Sequence, residues 1–480
     1  MCFFLDEKDV KEHEIILAFK INKFLLKEET SAKIYQLIKN KIALDNVFSI
    51  HSLAKLHQIA TVSDLSLGYI ERCFPIVVET KNFLHLGFDM VAKILSSSEL
   101  NIHSEVEIFK AAIFWMKHNS KERSKYAKQL LLKVRIPLLS EHALKYILDE
   151  VSLLSKTNDG VNMYKTFLVK KSFSSKNMSN IYYTNRYCNQ SKYNLLILGG
   201  CDKKMNKLVS KVVKIDGSDT NNVKDLRSMY SGRKCFEAVC LKGEVYVFGG
   251  SDRYSYKMHF VRSVAKYSPL NNDWTVVTDM VAKCENFCAC SFTNKIFFFG
   301  SEYYDDLLNE YLITSSCLQF DPKNKNWSEI ANMNVARSHA ACAVYQGNIL
   351  VSGGSPDIYN DLKTVESYDV FANKWSLMPS MIKGKSDHCL VVVKDKLFAI
   401  GQEPGSCELF DNVCEKFVLL NHQPSINCNK ILSIGRKIVV FQECRSSIIC
   451  YDVDKDKWSE ESCEVTKHIR DFSCVKLPCY

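Results

Sequence analysis

Residues 244–255 read EVYVFGGSDRYS: an apolar run rich in Val, Tyr and Phe stops at two glycines and gives way to a polar loop. The same ending recurs at LLILGG (195–200), IFFFGSE (296–302), ILVSGGSPD (349–357), LFAIGQE (397–403) and, without glycine, IVVFQE (438–443). β-Branched and aromatic residues favour extended backbone and glycine punctuates it, so each run is predicted as a strand that ends at a tight turn. The copies lie roughly 40–55 residues apart, the period of propeller blades rather than of helical solenoids.

Each unit continues with a variable loop, a strand ending in an aromatic residue or Asp, a polar turn and then Trp. The parts are legible as SVAKYSPLNNDW (Tyr267, Trp274), CLQFDPKNKNW (Phe320, Asp321, Trp327) and VESYDVFANKW (Tyr368, Asp369, Trp375). They recur as CELFDNVCEKF (Asp411, Phe417) and IICYDVDKDKW (Tyr451, Asp452, Trp458), with turns such as PKNKN that suit a hairpin. In this order of parts the chain resembles the kelch repeat, whose signature is the double glycine with the spaced Tyr and Trp. Six copies are present; the first is degenerate (LLILGG, then VVKIDG, no Trp) and the last lacks the glycines. The resemblance implies a six-bladed β-propeller in which glycine admits a close neighbouring strand and Trp packs between blades. It also implies that the terminal run DFSCVKLP, near 471–477, completes blade one and removes a free edge.

Upstream the period changes. In EVEIFKAAIFWMKHN, Val106, Phe109, Ile113 and Met116 recur at three- and four-residue steps, which places them on one buried helical face, and Ser104 with Glu107 marks the helix start. Similar helical periodicity runs through 15–26, 31–42, 47–60, 62–74 and 88–95. The segments NVFSIHSLAKLHQIA, NFLHL, SSSELNI and FWMKH resemble the BACK domain of kelch-like proteins, and VRIPLLSEHAL (134–144) fits its downstream helices. In that family the helix pair corresponding to 47–74, the 3-box, packs on cullin-3, so the resemblance makes Ile50, Leu53 and Leu56 the cullin-facing residues. DVKEHEIILAFKINKFLLKEETSAKIYQLIKNKI resembles only the final helices of the BTB domain that precedes BACK in the family, and this incomplete portion argues against homodimerisation. The expected organisation is multidomain, α + β, with an N-terminal all-α helical domain ahead of the propeller. It comprises a BTB remnant over 1–45, the 3-box and BACK helices over 46–150, a Ser-, Lys- and Asn-rich linker over 151–192, and the six-bladed kelch propeller over 193–480.

Composition narrows the function. At 480 residues the chain exceeds what one core usually serves. Its formal charge of +9 comes from lysines scattered among acids, which favours a solvated surface over a nucleic-acid groove. No apolar run approaches the roughly 20 residues that cross a bilayer, and MCFFLDEKD lacks the basic start of a signal peptide. The 20 cysteines are spread along the chain, often in strand contexts such as SSIICYD, where they act as small hydrophobes of a cytoplasmic protein. The cluster CENFCAC (Cys284, Cys288, Cys290) lacks zinc-ligand spacing, so neither metal nor cofactor is expected. Cys235, beside Arg233 and Lys234, is the one candidate for an activated thiol. There is no repeated Asp-box, no Tyr and His copper set and no phosphate-binding helix after LLILGG, so no catalytic residue is assigned and the protein is read as non-enzymatic.

Loops at one end of a propeller vary while the blades hold them, and they build the binding face. In kelch domains the post-glycine loops and the basic residues ahead of each first strand line the substrate-facing mouth. The resemblance therefore assigns the rim to Arg233, Arg253, Tyr254, Tyr303, Tyr304, Arg337, Tyr359 and Lys385. An extended acidic peptide would suit the three basic positions Arg233, Arg337 and Lys385. The function implied is a substrate adaptor of a cullin-3 ubiquitin ligase, with cullin-3 and a protein substrate as partners. The alternative is a cytoskeletal scaffold whose ring binds actin.

Overall fold

The computed structural model describes Ile16, Lys20, residues 28–147 except 103 and 141, and residues 193–478 except the loop stretches 217–218, 253–260, 282–283, 306–309, 358–359, 394–395, 402–405, 422–425 and 427–429. The expected linker, 151–192, and most of the expected BTB remnant lie outside these residues.

Six four-stranded antiparallel sheets follow one another around a ring, and a three-stranded miniature sheet (Cys201–Asp202, Lys207–Leu208, Ile469–Arg470) flanks the first. Blades two to six are each built from consecutive strands. Blade one is not: its strands are Ser473–Pro478, Tyr193–Leu198, Val212–Asp216 and Asp219–Leu226, in that order from the axis outward. Tyr193 pairs with Pro478 and Leu198 with Ser473, so the end of the chain supplies the innermost strand and closes the circle. Closure pairs the inner edge of Tyr193–Leu198, which would otherwise stand open to another chain.

The glycines of the opening stretch are explained by what stands next to them. A Cβ on Gly249 would lie 2.9 Å from the Phe287 ring of blade three, and one on Gly250 would lie 2.5 Å from the carbonyl oxygen of Lys234 in the same blade. Both glycines have positive φ, +62 and +83°. The first glycine therefore admits the next blade and the second admits the turn that enters its own inner strand. Gly250→Ala is expected to destabilise the propeller by about 2 kcal/mol or more, through left-handed strain plus a backbone clash. A thermal melt unchanged within one or two degrees would contradict that account.

The aromatic pairs are directly opposed across the third and fourth strands of blades two to six. Tyr267 faces Trp274, Phe320 faces Trp327, Tyr368 faces Trp375, Phe410 faces Phe417 and Tyr451 faces Trp458. Their ring centroids are 4.7–5.2 Å apart. Trp274 Nε1 donates to the Arg227 carbonyl at 2.9 Å and Trp375 Nε1 to that of Ala331 at 2.7 Å, so these indoles tie a blade to the exit of the one before it. Each hydrophobic cluster of the propeller is made by two adjacent blades, and the cluster of blades six and one completes the circuit.

The helical half contains α1 (Glu28–Lys41), α2 (Val47–Leu56), α3 (Ala60–Arg72), α4 (Phe88–Ser96) and α5 (Glu105–His118), with shorter turns between them. Ser104 Oγ accepts the Val106 N–H at 3.3 Å at the start of α5, and Val106, Phe109, Ile113 and Met116 are all buried. The periodic run 47–60 is not one helix. It breaks at Gln58, whose φ is 56°, because His57 and Gln58 close α2 with bonds to Leu53 and Lys55 before α3 begins.

This half sits on the hairpin-turn end of the propeller. Lys242 Nζ donates to Glu79 Oε1 at 2.5 Å, His142 Nδ1 lies 3.0 Å from Asp369 Oδ2, and Tyr146 packs on Phe371 with centroids 5.4 Å apart. A cavity of about 450 Å³ occupies this end of the central channel, walled by inner strands and covered by helical residues that include Leu100, Ile102 and Leu138. The glycine end faces the other way.

Candidate substrate-binding mouth

At the glycine end the five inner strands whose entering turns are described share one local conformation. Cys235, Asn286, His339, Asp387 and Asp471 all take positive φ, between 46 and 54°, one each from blades two, three, four, five and one. Asn and Asp tolerate this region because their short polar side chains bond locally, whereas Cys and His hold it at a cost set by the surrounding turn. Backbone bonds link neighbours around the ring: the His339 N–H donates to Asn286 O at 2.9 Å and the Asp387 N–H to His339 O at 3.2 Å. The equivalent turn of blade six falls outside the described residues.

Below this ring the channel is crossed by an ion pair. Lys430 Nζ of blade six donates to Glu237 Oε1 of blade two at 2.6 Å, across the closing strand of blade one. Glu237 and Lys430 each precede, by one residue, the cavity-lining residues Ala238 and Ile431 on the mouth side. The residues around the mouth are predominantly acidic. Asp471 is a neighbouring charge of Cys235, Glu285, Asp387 and Glu443, from four different blades, as expected for residues at or beside the ring of entering turns.

Three of the expected rim residues are not on the rim. Arg337 has no exposed surface, Lys385 is 4% exposed and Arg233 is 3% exposed. Arg337 Nη2 donates to Glu366 Oε1 at 2.6 Å and its Nη1 to Gly353 O at 2.8 Å; Lys385 Nζ bonds the carboxylate of Glu408. The two carboxylates also accept backbone N–H groups from the turns that join blades: Glu366 from Asn334 and Val335, Glu408 from Ile382 and Lys383. These cations are interior struts, and their charge is already matched. In blade two, Ala265 stands where Glu366 stands in blade four, and Arg233 is left with a 3.4 Å bond to Gly249 O, its pKa lowered to about 10 by burial.

The remaining rim residues divide. Tyr303 is exposed, at 37% of its surface. It does not sit on a loop, since the described part of the segment read as one, Ser301–Asp305, belongs to the strand Lys295–Asp305 paired with Glu310–Asp321, with Tyr303 opposite Leu312. Tyr304 pairs with Tyr311 in the same ladder, and its side chain lies outside the described residues, as do Arg253, Tyr254 and Tyr359. The ring of positive-φ residues was missed, although a signal for it existed: Cys235, His339 and Asp387 each lie two positions after the basic residue that was chosen. Cys235 is no activated thiol. Burial, with Asp471 and Glu285 beside it, pushes its pKa up to about 12, and the neighbouring Lys234 does not compensate.

Of the cullin-facing residues, Ile50 is buried, Leu53 is half-buried against the helical core and Leu56 is 73% exposed. The physical reason is the face of α2. Val47, Ile50, His51 and Ala54 turn inward at helical spacing, so Leu56 alone of the three stands fully outside.

Comparison with known proteins agrees with this anatomy. Residues 47–149 match the family model of BACK, "BTB And C-terminal Kelch", and residues 186–401 match the KLHDC2/KLHL20/DRC7 Kelch-repeats domain. Kelch-like protein 25 of Xenopus tropicalis is 23% identical over 449 residues, which is 88% of this chain and 73% of the relative. Kelch-like protein 38 of Rattus norvegicus is 22% identical over 457 residues, or 92% and 77%, and Kelch-like protein 7 of Mus musculus is 23% identical over 438 residues, or 88% and 72%. A closed ring of kelch blades follows a BACK domain that sits on one of its ends. The chain belongs to the kelch-like, BTB–BACK–kelch, family.

Proposed function

We propose that this protein is a substrate adaptor of a cullin-3 ubiquitin ligase working in the cytoplasm. The mouth of the propeller grips a target, the helical domain engages the ligase scaffold, and the chemistry belongs to other subunits. The observation that carries this reading is the placement of the helices on the hairpin-turn end, which covers the channel there and leaves the opposite mouth open to a second protein. An adaptor must hold two partners at once without overlap, and two opposed faces meet that requirement.

The test is calorimetric titration of the chain with the N-terminal domain of cullin-3. Micromolar or tighter binding is expected, about −8 kcal/mol. Leu56→Asp is expected to weaken it by about tenfold or more while leaving the melting temperature unchanged, since Leu56 is exposed on α2. Absence of any heat with the folded chain would remove the ligase role.

A further inference from the structure

The sign of charge at the mouth is opposite to that of the chain. Among the described residues Glu285, Glu302, Asp361, Asp387, Glu443 and Asp471 surround it, and the lysines and arginine among them are Lys203, Lys234 and Arg470, whose Nε lies 3.6 Å from Asp471 Oδ2, while Lys430 is matched by Glu237. Most of these carboxylates have local partners. Asn286 Nδ2 donates to Glu302, the Asp471 N–H to Glu443 Oε1 at 2.9 Å, and Ser355 Oγ to Asp361 Oδ1 at 2.9 Å.

Glu285 is different. It is 1% exposed, yet its Oε2 has no hydrogen-bond partner. Its own backbone is held in a bridge to Glu302, which places it one residue before the ring position Asn286. The charges acting on its carboxyl are, in order of size, Glu302, Lys234 and Asp471, so it is turned into the cluster and not away from it. Burial first, and these two carboxylates after it, push Glu285 up to about 7. A buried carboxyl without a donor is costly to hold, and neighbouring like charges add to that cost. A cation delivered to the mouth offsets both.

We propose that the mouth is a receptor for a basic side chain, Arg or Lys, of an extended peptide segment in the target protein, with Glu285 and Asp471 as its counter-charges. The proposal rests on the adaptor reading only in placing the target at this end of the ring. It reverses the acidic peptide that Arg233, Arg337 and Lys385 suggest in the sequence, because those cations are interior and the groups that converge on the axis are carboxylates. Arginine suits the site best: it loses less hydration than an ammonium on entering a mouth whose deepest carboxylate, Glu285, is buried, and its planar fork suits the outer carboxylates.

The test uses fluorescence polarisation of the full chain with five pools of synthetic twelve-residue peptides, each random except for one central residue fixed as Arg, Lys, Glu, Ala or Phe. At low salt the Arg and Lys pools are expected to bind about tenfold or more tighter than the Glu and Ala pools. Glu285→Gln combined with Asp471→Asn should abolish most of that preference. Salt at about 0.5 M, applied to the unmodified chain, should also weaken it, which keeps the test valid should the double variant fail to fold. Preference for Glu, indifference to charge, no binding by any pool, or an Arg preference that survives both the substitutions and the salt would each overturn the proposal. No cullin is present in this experiment. A failed cullin titration beside an intact Arg preference would therefore remove the ligase role alone, and the converse result would remove the basic-residue receptor alone.

Discussion

A chain ending at Arg470 is expected not to form the propeller at all. Loss of Ser473–Pro478 strips blade one of its innermost strand and leaves the whole edge of Tyr193–Leu198 unpaired. Phe472, Cys474, Val475 and Leu477 are all buried, and they belong to the clusters on both sides of blade one. At about 1.5–3 kcal/mol per buried apolar side chain, their removal costs on the order of 6–10 kcal/mol, comparable with the whole stability of a typical domain. The shortened chain should lose its near-ultraviolet circular dichroism and aggregate through the exposed edge. Joining residues 471–478 ahead of Tyr193 in a circular permutant should restore folding. A shortened chain that melts within a few degrees of the full one would show that closure is not what holds the ring.

Glu366→Ala is the second large effect. Arg337 and Glu366 are both fully buried and meet at 2.6 Å, so deleting the carboxylate strands a guanidinium away from water. It also removes the acceptor for the Asn334 and Val335 N–H groups, which hold the turn between blades three and four. The expected loss is about 3–5 kcal/mol, read from the midpoint of urea unfolding. Replacing both partners, Arg337→Met with Glu366→Leu, should recover much of it, since no charge is then left buried. Glu408→Ala in blade five should behave likewise, while blade two already carries the unmatched member of the series in Arg233. If Glu366→Ala unfolds at the same urea concentration as the unmodified chain, the pair is not a strut.

The repeat was legible because its determinants are local. Gly249 and Gly250 announce themselves through a backbone conformation that other residues adopt only under strain, and Tyr267 and Trp274 through a spacing that a hairpin converts into direct opposition. The site was legible only to within two residues. Arg337 and His339 belong to one entering turn, yet the first points into the space between strands and meets Glu366, while the second joins the ring around the axis. Spacing along the chain does not distinguish them, because which side chain faces inward depends on the turn's positive φ at His339. Nor could it identify Glu366, 29 residues away, as the group that neutralises Arg337.

By itself the sequence determined six repeated units and the helical domain ahead of them, which follow from local backbone preference and periodic burial, while the closing strand followed from the kelch resemblance. Tertiary structure alone decided the character of the mouth. A net charge of +9 is a sum over the whole chain, whereas the potential at the axis depends on which side chains lie within a few ångströms of one another. Closing the ring buries Arg233, Arg337 and Lys385 between strands and gathers Glu285, Asp387, Glu443 and Asp471, separated by up to 186 residues along the chain, around one opening.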